Sequence, residues 1–330
     1  MRSSFNRIGI DSGQQHCLII NSGNTVYGIG YNGYGQLGIS NTTTQYTHVQ
    51  VTTGASDVGC GSNHSVIVKN GYAYTCGYNG YGQLSDNTVT NQTSMVQAKD
   101  ITGTILTNIV ACACGWCNSF FIRSDGTAYS SGLSNYGQCC TGSTSEKLYP
   151  ARKIPLSNIK GISASNNHTV VLTSDGIAYA CGYNGYGQIG IGNTTNQTYL
   201  VRVLNLPNNI ISVAAGENFS LFLTSDGYVY GCGYNGYGQL CNENTTNQTL
   251  PVKSTFFSGV SAIDAGWNHS IILKSNGSVY TVGYNGYGQL GNGTLVNTVT
   301  PYCVKSSGVS GVCASYNQSF FLRSSSVTSF

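Results

Sequence analysis

Short apolar runs separated by glycine, asparagine and serine set the rhythm of this chain. Val213-Ala214-Ala215 is followed by Gly216-Glu217-Asn218, then by Phe219-Ser220-Leu221-Phe222-Leu223, then by Ser225-Asp226-Gly227, then by Tyr228-Val229-Tyr230. Runs this short, bounded by turn residues, read as strands, and Asp-Gly between two of them is a strong hairpin signal. Equivalent turns stand at Asp125-Gly126, Asp175-Gly176 and Asn276-Gly277. No stretch sustains a helical period. With 44 Gly and 5 Pro, the chain reads as all-β and built on tight turns.

A second pattern follows each set of strands. The octapeptide Gly30-Tyr31-Asn32-Gly33-Tyr34-Gly35-Gln36-Leu37 returns at Gly77, Gly182, Gly233 and Gly283, with a degenerate copy, Gly132-Leu133-Ser134-Asn135-Tyr136-Gly137-Gln138-Cys139. The steps between copies are 47, 55, 50, 51 and 50 residues. Periods of this size mean propeller blades or solenoid units. The strand–turn–strand set occurs seven times and the octapeptide six, the last set running from Val309 to Phe330. An open ring would leave sheet edges exposed. The counts therefore predict one domain, residues 1–330: a seven-bladed β-propeller of four-stranded blades. Its last blade would take its missing outer strand from the N-terminal segment around Arg2–Arg7. The alternative is six blades.

The succession of apolar strand, Gly-x-x-His-Ser, apolar strand, Asp-Gly, Val-Tyr and Gly-x-Asn-x-Tyr-Gly-Gln-Leu-Gly resembles the regulator-of-chromosome-condensation repeat, over essentially residues 8–330. The resemblance implies a propeller. It leaves function open, because propellers carry many functions. The family includes a guanine-nucleotide exchange factor for a nuclear GTPase, a plant ultraviolet photoreceptor, a secreted β-lactamase inhibitor and ubiquitin-ligase domains, which share binding of a partner on one face. This chain departs from the chromatin-bound exchange factor in having only Arg2 and Arg7 before its first strand and no dense charge. It departs from the photoreceptor in having only Trp116 and Trp267.

Charge narrows the field further. Only 8% of residues are charged and the net charge is +3, against roughly 25% charged in ordinary soluble proteins. The basic residues form no cluster of the kind that displaces counterions from nucleic acid, so no nucleic-acid partner is expected. Nothing approaches the roughly 18 apolar residues of a membrane span, and Met1–Asn6 lacks a signal-peptide core. The chain reads as a soluble monomer of a reducing compartment, cytoplasmic or nuclear, with a viral particle as a further possibility.

Candidate chemistry is sparse. His16, His64, His168 and His269 fill the same slot in different repeats, where the others carry Asn118, Phe219 and Gln318. Equivalent slots sit a blade apart, so the histidines read as buried structural groups bonded to turn carbonyls, not as metal ligands. The 13 cysteines read as small buried thiols, and Cys114-x-x-Cys117 alone is a weak zinc signal. The sequons at Asn193, Asn196, Asn244 and Asn247 are compositional. No nucleophile–base–acid set, paired carboxylates or phosphate loop exists, so no enzyme activity, cofactor or metal is expected. Gln36, Gln83, Gln138, Gln188, Gln239 and Gln289 are expected to bond backbone across blades. The first octapeptide tyrosine, Tyr31, Tyr78, Tyr183, Tyr234 and Tyr284, is expected in a loop and available to a partner, since tyrosine gives large contact area at low entropy cost. The second is expected to pack between blades.

These features predict a non-enzymatic protein-interaction platform with an unidentified partner. Two alternatives stand beside it. One is a guanine-nucleotide exchange factor for a small GTPase: the longest repeat step contains Lys99-Asp100-Ile101-Thr102-Gly103-Thr104-Ile105, and the resemblance implies that such an insertion can wedge under a nucleotide site. The other is a structural or surface protein of a particle or coat.

Overall fold

The structure, a computed structural model, describes residues 9–323 and 326–329. Every element is a strand. The first blade is β1 (Ile10–Ser12), β2 (His16–Ile20), β3 (Thr25–Gly30) and β4 (Gln45–Thr53); the second is β5 (Ala55–Cys60), β6 (His64–Lys69), β7 (Tyr72–Gly77) and β8 (Gln92–Gln97). The third holds β9 (Ile109–Cys114), β10 (Asn118–Arg123), β11 (Ala128–Gly132) and β12 (Leu148–Lys153); the fourth, β13 (Ile159–Ala164), β14 (His168–Thr173), β15 (Ala178–Gly182) and β16 (Gln197–Arg202). The fifth holds β17 (Ile210–Ala215), β18 (Phe219–Thr224), β19 (Val229–Gly233) and β20 (Gln248–Lys253); the sixth, β21 (Val260–Ala265), β22 (His269–Lys274), β23 (Val279–Gly283) and β24 (Thr298–Lys305). A last sheet is made of β25 (Val309–Ser315), β26 (Gln318–Arg323) and β27 (Ser326–Ser329).

The expectation of seven four-stranded blades is therefore corrected. The propeller has six four-stranded blades, and β25–β27 is a three-stranded sheet. The reason lies in the repeat. Each fourth strand follows an octapeptide, and six octapeptides build six fourth strands. The N-terminal segment assigned to the closing role, Arg2–Arg7, lies outside the described residues. The three-stranded sheet meets the first blade through its inner strand: the Ser315 hydroxyl donates to the Ser12 carbonyl at 2.7 Å.

Position in the blade sets the residue pattern. Second strands have blades on both faces and are largely buried; β18, Phe-Ser-Leu-Phe-Leu-Thr, is buried at every residue. Fourth strands form the rim, and β20 buries only Pro251 fully. The core lies between neighbouring blades: Phe219, Leu221 and Leu223 of β18 pack with Ile263, Ile272 and Val282 of the next blade, and Leu18, Val26 and Leu37 pack with Val58 and Ile67. Burying such side chains is worth roughly 1.5–3 kcal/mol each. At the start of each octapeptide, Gly30 and its counterparts adopt positive φ, +108° at Gly30, where a Cβ would lie 2.3 Å from the Gln15 carbonyl oxygen. Only glycine takes that corner without strain.

Polar relays tie each blade to the next. The Ser220 hydroxyl donates to the Gln188 carbonyl at 2.8 Å and lies 2.9 Å from His168 Nε2. A hydroxyl has one proton to give, so His168 donates from Nε2 and Ser220 accepts. The same relay joins His16, Ser65 and Gln36, and His269, Ser319 and Gln289. His64 bonds Ser119 at 2.9 Å, while Ser131 reaches the Gln83 carbonyl. Where Asn118 or Phe219 replaces histidine, Thr169 and Ser270 still reach the Gln138 and Gln239 carbonyls at 2.7 Å. Burial depresses all four histidines, His16 to about 4 and His64, His168 and His269 to about 3, so each is neutral at pH 7.

Candidate binding face

Up-and-down strands sort the loops onto two faces. The turns between first and second strands and the octapeptides between third and fourth strands share one face. The Asp-Gly hairpins and the links between blades share the other.

The octapeptide tyrosines form an arc on the first face. Tyr31, Tyr34, Tyr78 and Tyr81 follow one another with ring centroids 5.2–6.2 Å apart. After a break at Leu133, the arc resumes through Tyr136, Tyr183, Tyr186, Tyr234, Tyr237, Tyr284 and Tyr287 at 5.0–6.4 Å. Most pairs are edge-to-face or tilted, the arrangement ring quadrupoles favour. First and second tyrosines thus alternate in one arc, and the second is not hidden between blades: Tyr186 is exposed and Tyr287 is 72% exposed. Partial burial, and then the neighbouring phenol, raise the Tyr78 and Tyr234 hydroxyls above their ordinary range.

Two other octapeptide residues hold the arc in place. The glutamine side chain turns back on its own loop, Gln188 Oε1 accepting from the Tyr186 N–H at 3.1 Å, with the same bond at Gln36, Gln83, Gln138, Gln239 and Gln289. Its carbonyl accepts from the next blade, and the side-chain Nε2 of Gln138, Gln188 and Gln289 crosses as well, donating to the Asn166 carbonyl, Asn218 Oδ1 and Asn317 Oδ1 at 3.3–3.4 Å. The sequence reading missed the octapeptide asparagine. Asn184 is fully buried; its Oδ1 accepts from the Ile189 N–H at 2.9 Å and its Nδ2 donates to the Asn193 and Thr195 carbonyls. Asn32, Asn79, Asn235 and Asn285 do the same work. Their recurrence at one octapeptide position was the available signal. The sequon residues Asn196 and Asn247 are engaged as well, accepting from the Asn184 and Asn235 N–H groups.

At the centre of this face, side chains from distant repeats converge. Trp116 stacks on Trp267 at 5.5 Å, and Tyr316 lies 3.7 Å from Trp267 and 5.3 Å from Trp116. Beside them burial raises the Glu217 carboxyl, which accepts from the Asn268 amide at 3.4 Å.

Lys99 and Asp100 lie on the opposite face. They open a compact turn in which Asp100 Oδ1 accepts from the Thr102 and Thr104 N–H groups, and Lys99 pairs with Ile105. The structure does not bring them together with the tyrosines. Among the described residues no group of three metal-ligating side chains forms, and no helix is long and apolar enough to cross a membrane.

An all-β disc of repeated four-stranded blades carrying an aromatic face is a β-propeller repeat protein. Two family profiles, both described as the Regulator of chromosome condensation (RCC1) repeat, match it, one at residues 24–68, 125–172, 175–223, 226–273 and 276–322 and the other at 8–36, 55–83, 159–188, 210–239 and 260–289. The chain belongs to the RCC1 repeat family. Among curated proteins it is similar to the ultraviolet-B receptor UVR8 of Arabidopsis thaliana, 27% identical over 251 residues, which is 75% of this chain and 46% of the receptor. The chain thus spans less than half the length of that relative. Its fold is similar to human WBSCR16, with a TM-score of 0.80, 21% identity and 94% of this chain and 85% of the other covered. It is also similar to Prp20p of Saccharomyces cerevisiae, described with its binding to Gsp1p and histones, with a TM-score of 0.79, 22% identity and 93% and 80% covered.

Proposed function

We propose that the protein is a non-enzymatic binding platform that takes a protein partner on the tyrosine face. The observation that carries this reading is the arc itself. Packing within the blades does not require a phenol at nearly every octapeptide tyrosine slot, and half-exposed rings held rigidly by Gln and Asn bonds suit an interface. The octapeptide tyrosines and the cluster at their centre include one charged residue, Glu217, so recognition by them rests on shape, aromatic contact and hydroxyl bonding. The test is affinity capture from the native cell with the intact chain and with Tyr183→Ala/Tyr234→Ala, bound proteins being identified by mass spectrometry. A partner lost with the double variant and kept by Lys99→Ala/Asp100→Ala supports the reading; a partner lost only with the latter refutes it.

Nucleotide exchange on a small GTPase is the second reading. Prp20p, which shares the fold, binds Gsp1p. The turn at Lys99–Ile105 gives that activity a short hairpin in place of a long wedge. Release of labelled GDP from small GTPases, measured with and without the protein, separates the two readings.

A further inference from the structure

The tyrosine arc is broken at one blade, and the break is chemically distinct. In four octapeptides the first tyrosine, Tyr78, Tyr183, Tyr234 or Tyr284, links two neighbouring second tyrosines. In the third blade Leu133 stands in that slot, so no first-tyrosine ring bridges Tyr81 and Tyr136. A pocket of about 480 Å³ opens there, lined by Tyr78, Tyr81, Tyr136, Trp116 and the asparagines Asn63, Asn135, Asn166 and Asn167. Its volume falls in the range of small-molecule sites. None of its lining residues is charged.

The donor and acceptor pattern selects the ligand. Each asparagine amide offers donors and an acceptor, and each phenol offers both roles. A hydroxyl-rich ligand uses both, whereas a proline-rich segment, lacking N–H groups along its prolines, presents carbonyl acceptors and uses only half of what the pocket offers. Aromatic rings supply flat apolar faces for the C–H side of a sugar ring. From this lining we propose that the pocket at Leu133 binds a short neutral oligosaccharide, laid against Trp116 and the tyrosine rings and hydrogen-bonded by the asparagine amides. The proposal stands apart from the protein-partner reading: the capture experiment with Tyr183→Ala/Tyr234→Ala can succeed or fail whatever the sugar result.

Tryptophan emission reports on the site, because the chain has two tryptophans and they stack on each other. Titration of the full chain with chitotriose, cellotriose and maltotriose should give a saturable shift for at least one. Leu133→Tyr/Asn135→Gly restores the tyrosine–glycine pair of the other octapeptides and fills the pocket; it should keep the melting temperature and weaken binding at least tenfold. Asn166→Ala, a surface truncation, should weaken binding roughly 3- to 10-fold, the worth of about one hydrogen bond. No saturable response to any of the three sugars up to about 10 mM, beyond the weakest useful affinities, overturns the proposal. So does unchanged affinity in Leu133→Tyr/Asn135→Gly, or a response to decaproline alone.

Discussion

Tyr183 lies over Gly185 so closely that a Cβ on the glycine would sit 2.1 Å from the phenol oxygen. The same relation holds for Tyr31 with Gly33, Tyr78 with Gly80, Tyr234 with Gly236 and Tyr284 with Gly286. The one octapeptide without the tyrosine, at Leu133, has Asn135 in place of the glycine. The two positions therefore act as a pair: the ring requires the bare backbone. Gly185→Asn should displace the ring and cost about 1–2 kcal/mol. Tyr183→Leu/Gly185→Asn should cost less than the two single changes together, with a coupling of about 0.5–3 kcal/mol. Denaturant melts of the four proteins in the cycle measure it; strict additivity would mean that the ring and the glycine are independent.

Tyr183→Ala/Tyr234→Ala should leave the fold intact. Each ring makes two aromatic contacts along the arc, worth about 0.5–1.5 kcal/mol apiece, so the melting temperature should fall modestly while circular dichroism keeps its β signature. Partner capture should weaken, and in the intact protein it should change little between low and high salt, because exposed charge contributes little there. Capture that collapses with added salt would point to a charged surface instead.

The buried histidines predict an acid sensitivity of known sign. Burial lowers their folded values from 6.5 to about 4 at His16 and about 3 at His64, His168 and His269. The unfolded chain binds the extra protons between those limits, so stability is full above pH 6.5 and is lost as pH falls toward 4 and 3. Asp264 acts the other way: burial raises it from 3.8 to about 6, so its contribution weakens as pH rises through that window. Four histidines, each worth up to about 1.4 kcal/mol per pH unit, outweigh one carboxyl. The guanidinium midpoint should drop between pH 6.5 and 4.5. His168→Phe, which installs the side chain that Phe219 already places in this slot one blade further on, should flatten the slope by roughly one histidine's share. A midpoint that holds steady across this range would show the imidazoles to be solvated.

Thiol reactivity should single out one residue. Cys303 is exposed and the other twelve cysteines are buried. Burial pushes Cys76, Cys117, Cys139 and Cys241 up to about 12, so little thiolate forms at neutral pH. Native alkylation at pH 7 followed by peptide mapping should mark Cys303 first, and Cys303→Ser should abolish the rapid phase. Rapid labelling at Cys117 would mean that the centre of the tyrosine face opens.

Much of this architecture was legible in the chain because its devices are local. Asp-Gly hairpins, the octapeptide and its spacing specified strands, turns and blade period without reference to long-range contacts. The count of complete blades was not, since the strand–turn–strand sets outnumber the octapeptides and it is the octapeptide that delivers a fourth strand. The histidine slot was legible as a buried position from Phe219, which fills it in the fifth blade. Its partner was not, because Ser220 stands next to Phe219 in a different blade from His168, and only the ring brings them together. The convergence of Trp116, Trp267 and Tyr316 was equally hidden: three turns far apart in sequence meet at the axis only after the disc has closed.

Near-identical repeats pose a problem of orientation. A partner reading only a uniform wheel of phenols could settle on it at several rotations and dock in none reproducibly. Leu133 removes one spoke. With one spoke of the wheel unlike the others, no turn of the disc superimposes the face on itself. The wheel thereby acquires a zero mark, and anything bound to it can be held at one bearing.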